Sequence, residues 1–149
     1  HEDNTPFGRI FSGILGVLEK ALDNEYTQES DFIVVTRYDI GIMTDSPGEL
    51  LVRIKHSFNY DNFNGIYIDR LENGECQDQI FIGSYEAIKK LFNQLLILAR
   101  NSEYRKSAGG HKALSDALEY GNIPNIQIQN AALLSNGRFD FKLVRPENE

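Results

Sequence analysis

A helix with apolar groups around more than half its circumference cannot rest on a surface, and residues 85–99 read as such a helix. Tyr85, Ile88, Leu91, Phe92, Leu95, Leu96, Leu98 and Ala99 recur at helical steps, the spacing that stacks side chains on neighbouring turns. Ser84 stands just before them as an N-cap, a hydroxyl placed to accept from a free backbone N–H. So wide an arc has to be covered from several sides. The rest of the chain must therefore supply a sheet and further helices that bury it.

A first helix is predicted after Thr5 and Pro6, a capping residue followed by a proline whose missing N–H costs nothing at that position. Phe7, Ile10, Phe11, Ile14, Leu18 and Leu22 line one face of it. Ser12, Gly13 and Gly16 are small and close together, which suggests a close backbone approach within the chain, with a homodimer seam as the alternative. Beyond the polar loop 24–30, Phe32, Val34, Tyr38, Ile40 and Ile42 alternate with polar positions and predict one strand. Asp45-Ser46-Pro47-Gly48 is turn chemistry, and residues 50–58 predict a second strand with one wet face.

Residues 65–71 and the run ending at Ile82 flank Asn73-Gly74, a strong hairpin signal. A two-residue turn with one continuous register would set Asp69 opposite Asp78, so a three-residue loop ending at Gly74 is the favoured expectation. Further on, Ala113, Leu114, Ala117 and Leu118 predict a shorter helix that stops at Gly121 with Pro124 beyond it. A last hairpin around Asn136-Gly137, in which Ile126, Ile128, Ala132 and Leu134 match Phe139, Phe141 and Leu143, would place Leu134 opposite Phe139 and Ala132 opposite Phe141. The predicted fold is α+β: a four-strand antiparallel meander plus a C-terminal hairpin, with the N-terminal helix and the long central helix packed on one face.

The 149 residues suit one core, which at this length buries enough surface to fold without a metal or disulfides. The expectation is one α+β domain over residues 1–149, with 1–5 disordered or foreign to the natural chain. A start at His1 in place of Met leaves open a tag, a processed leader or a preceding domain. Cys76 is the single cysteine, so an internal disulfide is impossible and a reducing, cytoplasmic setting is expected. The longest apolar run, Leu95 to Ala99, is far too short to span a bilayer.

Charge is unevenly distributed. The net charge is −7, yet residues 89–112 hold Lys89, Lys90, Arg100, Arg105, Lys106 and Lys112 against Glu103 alone. Residues 2–49 carry ten acids against Arg9, Lys20 and Arg37. Such an acidic surface disfavours nucleic acid and speeds encounter with a basic protein. Within the basic stretch, Arg105, Lys106, Gly109, Gly110, His111 and Lys112 lead into the third helix. Cations beside glycines at a helix start are what an anion or an acidic group on a partner would need. The plain alternative is a solvated loop between two helices.

Catalytic and metal motifs are absent from the sequence. There is no G-x-x-x-x-G-K-[ST], no dinucleotide fingerprint after a strand, no G-x-S-x-G and no H-x-x-x-H or C-x-x-C. A calcium loop with Gly65 at its sixth position would put Tyr60 first, without the oxygen ligands. His56 falls on the apolar face of its strand, as a core imidazole would, and His111 at a loop–helix junction is better placed for proton transfer. Tyr26, Tyr38, Tyr60, Phe63 and Tyr67 with Arg53 and Lys55 would stack single-stranded bases only if the rings faced outward from the sheet.

These readings converge on a small acidic protein-binding module, non-catalytic, of the adaptor, antidote or immunity, or chaperone-like kind. No cofactor, metal or membrane is expected, and a basic protein partner or a second copy is. The alternative is a protein that handles phosphate, nucleotide or nucleic acid through residues 105–112. No family signature is legible in the residues, so both readings rest on local chemistry.

Overall fold

A computed structural model of the chain describes residues 6–29, 32–36, 40–42, 64–68, 71–72, 75–76, 80–127 and 141–143. Its helices are Pro6–Asp23 (α1), Tyr85–Ala99 (α2), Ser102–Ser107 (α3) and Gly110–Tyr120 (α4). Its strands are Phe32–Thr36 (β1), Ile40–Ile42 (β2), Ile66–Ile68 (β3), Leu71–Glu72 (β4), Glu75–Cys76 (β5), Ile80–Ser84 (β6), Asn125–Gln127 (β7) and Phe141–Leu143 (β8).

Ser84 caps α2 as its sequence position predicts. Its Oγ accepts from the Ala87 N–H at 3.2 Å and donates to Asn64 Oδ1 at 2.6 Å. Ile88, Leu91, Leu95 and Leu98 of α2 are buried, with Tyr85, Phe92 and Ala99 packed partly against them. Ile14 and Leu18 of α1 and Ala113, Leu114, Ala117 and Leu118 of α4 close the same core. Each fully buried Leu or Ile contributes about 1.5–3 kcal/mol through surface removed from water, which makes this helical layer the main support of the fold. Gly110, Ala113 and Ala117 form a small-residue ridge on α4, all three buried. Gly121 continues it: a Cβ there would lie 3.0 Å from Gln94 Cγ of α2.

The main sheet has four strands in the order β1-β6-β3-β7 among the described residues. Val34 lies opposite Ile82, Ile82 opposite Tyr67, and Tyr67 beside Ile126, the first two ladders antiparallel and the last parallel. This corrects the predicted antiparallel meander, in which each strand pairs with its neighbour in sequence. The physical reason lies in where the helices return the chain. After α4 the chain passes Pro124, whose carbonyl accepts from the Ile66 N–H at 2.9 Å. It is thereby delivered parallel to β3 after a long crossover, as parallel pairing requires.

Three further expectations change. The predicted strand over 32–42 divides into β1 and β2, and β2 pairs with β8, Gly41 opposite Lys142, in a separate two-stranded sheet. β7, expected to join the C-terminal hairpin, pairs with β3 instead. The predicted strand at 50–58, the Asn136-Gly137 turn and the positions of Ala132, Leu134 and Phe139 lie outside the described residues. Finally, Glu72 pairs with Glu75, which leaves two residues between them where three were expected. Ile68 opposite Phe81 and Leu71 opposite Cys76 differ in register by two residues. The clash of Asp69 with Asp78 assumed one unbroken register, so it does not constrain the turn.

Pleating sends Ile33, Val35, Ile66, Ile68 and Phe81 into the helical core. The intervening row is covered as well, Ile82 at 0% and Tyr67 at 3% exposure. Gly83 sits between Ile33 and Ile66 on the helix side. A Cβ there would meet Ile66 Cγ1 at 3.0 Å and Ile88 Cδ1 at 3.1 Å, so the glycine is what lets α2 lie directly on the sheet. No described helix is long and apolar enough to cross a membrane.

Candidate functional site

The basic segment folds in two pieces. Asn101 caps α3 by accepting from the Tyr104 N–H at 3.0 Å, and the Ala108 N–H closes the helix on Tyr104 O at 3.0 Å. The predicted solvated loop is therefore a short helix, because Asn101 supplies a start signal and residues 102–107 carry no breaker. Gly109 is the N-cap of α4 and offers no side-chain cap. A Cβ on it would meet nothing within 4 Å, so its glycine is not demanded by a close approach. Gly110 is buried at the first turn of α4.

The cations of the segment are engaged. Lys106 lies 3.4 Å from Glu103 in an exposed pair of little energetic weight. Arg105 and His111 are half-buried and each has a partner. Lys112 Nζ lies 2.7 Å from Asp116 Oδ2, and the Tyr104 hydroxyl donates to the same oxygen at 2.5 Å. Lys112 Nζ also sits 5.6 Å from the centre of the Tyr104 ring, within cation–π range.

Asp116 is the buried charged residue of the described part, 9% exposed, and its two donors explain how a carboxylate survives there. Burial first, and then the hydrogen bond to Asp116, push the Tyr104 hydroxyl well above the ordinary tyrosine range. It stays protonated at neutral pH, a fixed donor and not a base. The hydrogen bond to Asp116 raises the Lys112 ammonium against a smaller opposing effect of burial, with Glu75 adding to the rise. The cluster thus staples α3 to α4 and places negative charge beside the cation nearest the helix start.

At the other end of α4 the chain makes a left-handed turn. The Asn122 N–H donates to Glu119 O at 3.0 Å and the Ile123 N–H to Leu118 O at 2.9 Å, the pairing of a Schellman stop. The left-handed residue is Asn122, with φ of 49°, and not the glycine before it. Leu118 and Ile123, the pair that accompanies such a stop, are both buried.

This turn opens a cleft of about 540 Å³ between α4 and β7. Ile68, Leu118, Ile123 and Pro124 give it apolar walls, and Ser115, Glu119, Asn122 and Asn125 line it with polar groups. Among the described residues that lining holds one carboxylate and no cation. The cleft also faces the C-terminal end of α4, where the helix dipole carries partial negative charge. Exposed Tyr120 is next in sequence to Glu119.

Sequence reading singled out neither the cleft nor Asp116. Lys112 and Asp116 are four residues apart, a spacing that pairs side chains on a helix, and Asp116 falls inside the apolar arc of α4. Those two signals together would have found the cluster. The cleft had only the Gly121-Asn122-Ile123-Pro124 stop as its mark.

Other predicted positions separate. Tyr67 is buried and Tyr26, 81% exposed, lies in the turn after α1, where Asn24 Oδ1 accepts the Tyr26 N–H. Neither forms a stacking surface on the sheet. His56, Arg53, Lys55, Tyr38, Tyr60 and Phe63 lie outside the described residues. No group of three or more His, Cys, Asp or Glu converges on a metal-sized site among the described residues. Gly13 is exposed, and a Cβ added at Gly13 or at Gly16 would meet nothing within 4 Å. Among the described residues, the close backbone approach expected within the chain at these glycines is absent. No protein family, curated protein or solved structure matches the chain.

Proposed function

We propose that this protein is a small, non-catalytic binding module that recognises a basic protein. The observation that carries this reading is the cleft between α4 and β7, whose lining among the described residues has one carboxylate, Glu119, and no cation, on a chain of net charge −7. A cationic side chain entering there gains from Glu119, from the negative end of α4 and from the neutral acceptors of Ser115, Asn122 and Asn125. Long-range attraction from the acidic surface raises the encounter rate. Adaptor, antidote and chaperone-like roles all fit this chemistry, as does a cytoplasmic setting, and a homodimer through α1 is compatible with it.

The alternative, anion handling through Arg105, Lys106, Gly109, Gly110, His111 and Lys112, draws less support. Lys112 already faces Asp116 at 2.7 Å, and the cleft lies at the opposite end of α4.

Affinity capture with the whole protein, followed by identification and a binding isotherm at rising salt, tests the proposal. A saturable basic partner whose affinity falls steeply with salt is expected. Absence of a saturable partner, or one held equally at low and high salt, contradicts it. A parallel thermal-shift titration with nucleotides and short oligonucleotides is expected to be flat, and stabilisation that grows with ligand would favour the alternative.

A further inference from the structure

We infer that the partner docks as an extended strand on the outer edge of β7 and inserts one Lys or Arg side chain into the cleft beside Glu119. The inference rests on the binding reading above and specifies where and how the partner is held.

Among the described residues that edge is unpaired. Ile66 sits beside Asn125 in the parallel ladder and donates to Pro124 O at 2.9 Å. Alternate residues of a strand turn their peptide groups to opposite sides. Pro124 and Ile126 therefore face β3, and the N–H and C=O groups of Asn125 and Gln127 face outward. β7 ends the sheet order, and no described strand pairs with that outer side. An open row of donors and acceptors is a template for an added strand.

Side-chain parity then fixes the pattern. Asn125 shares the helix side of the sheet with Ile66, and the cleft lined by Asn125 and Ile68 lies on that side. Ile126 points the other way and is 38% exposed. A strand laid along β7 thus presents alternate residues to the cleft and to Ile126. Glu119 and the α4 terminus favour a cation at the first kind of position, and Ile126 favours apolar residues at the second. The recognised sequence is apolar–basic–apolar.

The test selects random dodecapeptides displayed on phage against the whole protein and measures the survivors as free peptides. Enriched sequences should carry Lys or Arg between apolar residues and lose roughly tenfold or more in affinity on Glu119→Lys, as expected for a charge-reversed contact. Gln127→Pro removes an outward donor at an edge position that tolerates proline and should weaken them similarly. Should that variant fold poorly, N-methylation of alternate peptide amides gives the same reading, one parity blocking binding and the other sparing it. Failure to select a saturable peptide, peptides lacking a basic residue, or binders indifferent to Glu119→Lys and to amide parity would each overturn the docking mode. A captured natural partner that ignores both variants would sink this site and leave the binding module standing. Finding neither a saturable partner nor a saturable peptide for the unaltered protein would sink both.

Discussion

Lys112 reaches forward one helical turn to Asp116, Nζ to Oδ2 at 2.7 Å, and this pair decides what the basic segment is. A lysine counted in sequence as part of a cationic patch is, in the fold, the counter-charge of a buried carboxylate. Tyr104 completes the cluster from α3 by donating to the same oxygen. The segment that looked like an anion site is held together largely as a structural joint.

Tyr104→Phe removes only the hydroxyl that donates to Asp116. Hydrogen bonds to charged groups are worth about 1.5–3 kcal/mol, and a loss near the lower end is expected because Lys112 still serves the carboxylate. Urea denaturation of the two proteins measures it, with an unchanged slope. A difference below about 0.5 kcal/mol would show that the cluster is not a staple.

The same cluster sets an alkaline limit. Tyr104 and Lys112 both hold their protons more tightly in the folded state than when free. Their contribution is fully present below the unfolded values, roughly 10 for tyrosine and lysine alike. It is lost as pH rises beyond that toward the folded values. Stability followed from pH 7 upward should be set by other groups until about pH 10 and then fall, and Tyr104→Phe should flatten part of the fall. An identical alkaline profile in the variant would contradict the assignment.

Glycines at two places should respond oppositely to Ala. Gly83→Ala forces a methyl against Ile66 and Ile88 and should cost about 1–3 kcal/mol, the usual penalty of overpacking. Gly13→Ala meets open space within α1 and should stabilise by roughly 0.5–1 kcal/mol through helix propensity. Thermal melts of both variants check this. If Gly13→Ala also separated a dimer in sedimentation, the exposed face of α1 would be a seam between copies.

Asn122 supplies the left-handed residue that ends α4. Asn122→Gly should be neutral or slightly stabilising, and Asn122→Val should cost about 1–2 kcal/mol, since a branched side chain resists that conformation. Comparable melting of the two variants would show that the turn is not held as described.

Helices α1, α2 and α4 were legible because their signals are local, whereas the short α3 was expected as a loop. Ser84 before an apolar periodicity, and Ala113, Leu114, Ala117 and Leu118 before Gly121, carry start, face and stop within a few residues. Of the sheet, the antiparallel pairing of residues 65–71 with the run ending at Ile82 was legible, but the strand order was not, since nothing in Ile126 itself says that it will lie beside Tyr67 across a helical crossover. Strand partners are chosen by where helices return the chain. The cleft escaped notice for the same reason: Ile68, Leu118 and Asn125 are far apart in sequence. Gly121 marks the end of α4 as its sequence position predicts; it also gives space against Gln94, and the left-handed turn falls on the residue after it.

Amide chemical-shift mapping of the isotope-labelled protein, titrated with a selected apolar–basic–apolar peptide, tests the central claim most directly. Saturable shifts concentrated at Glu119, Asn122, Asn125 and Gln127 are the predicted result. Shifts centred on residues 105–112, or spread evenly over the acidic surface, would contradict it.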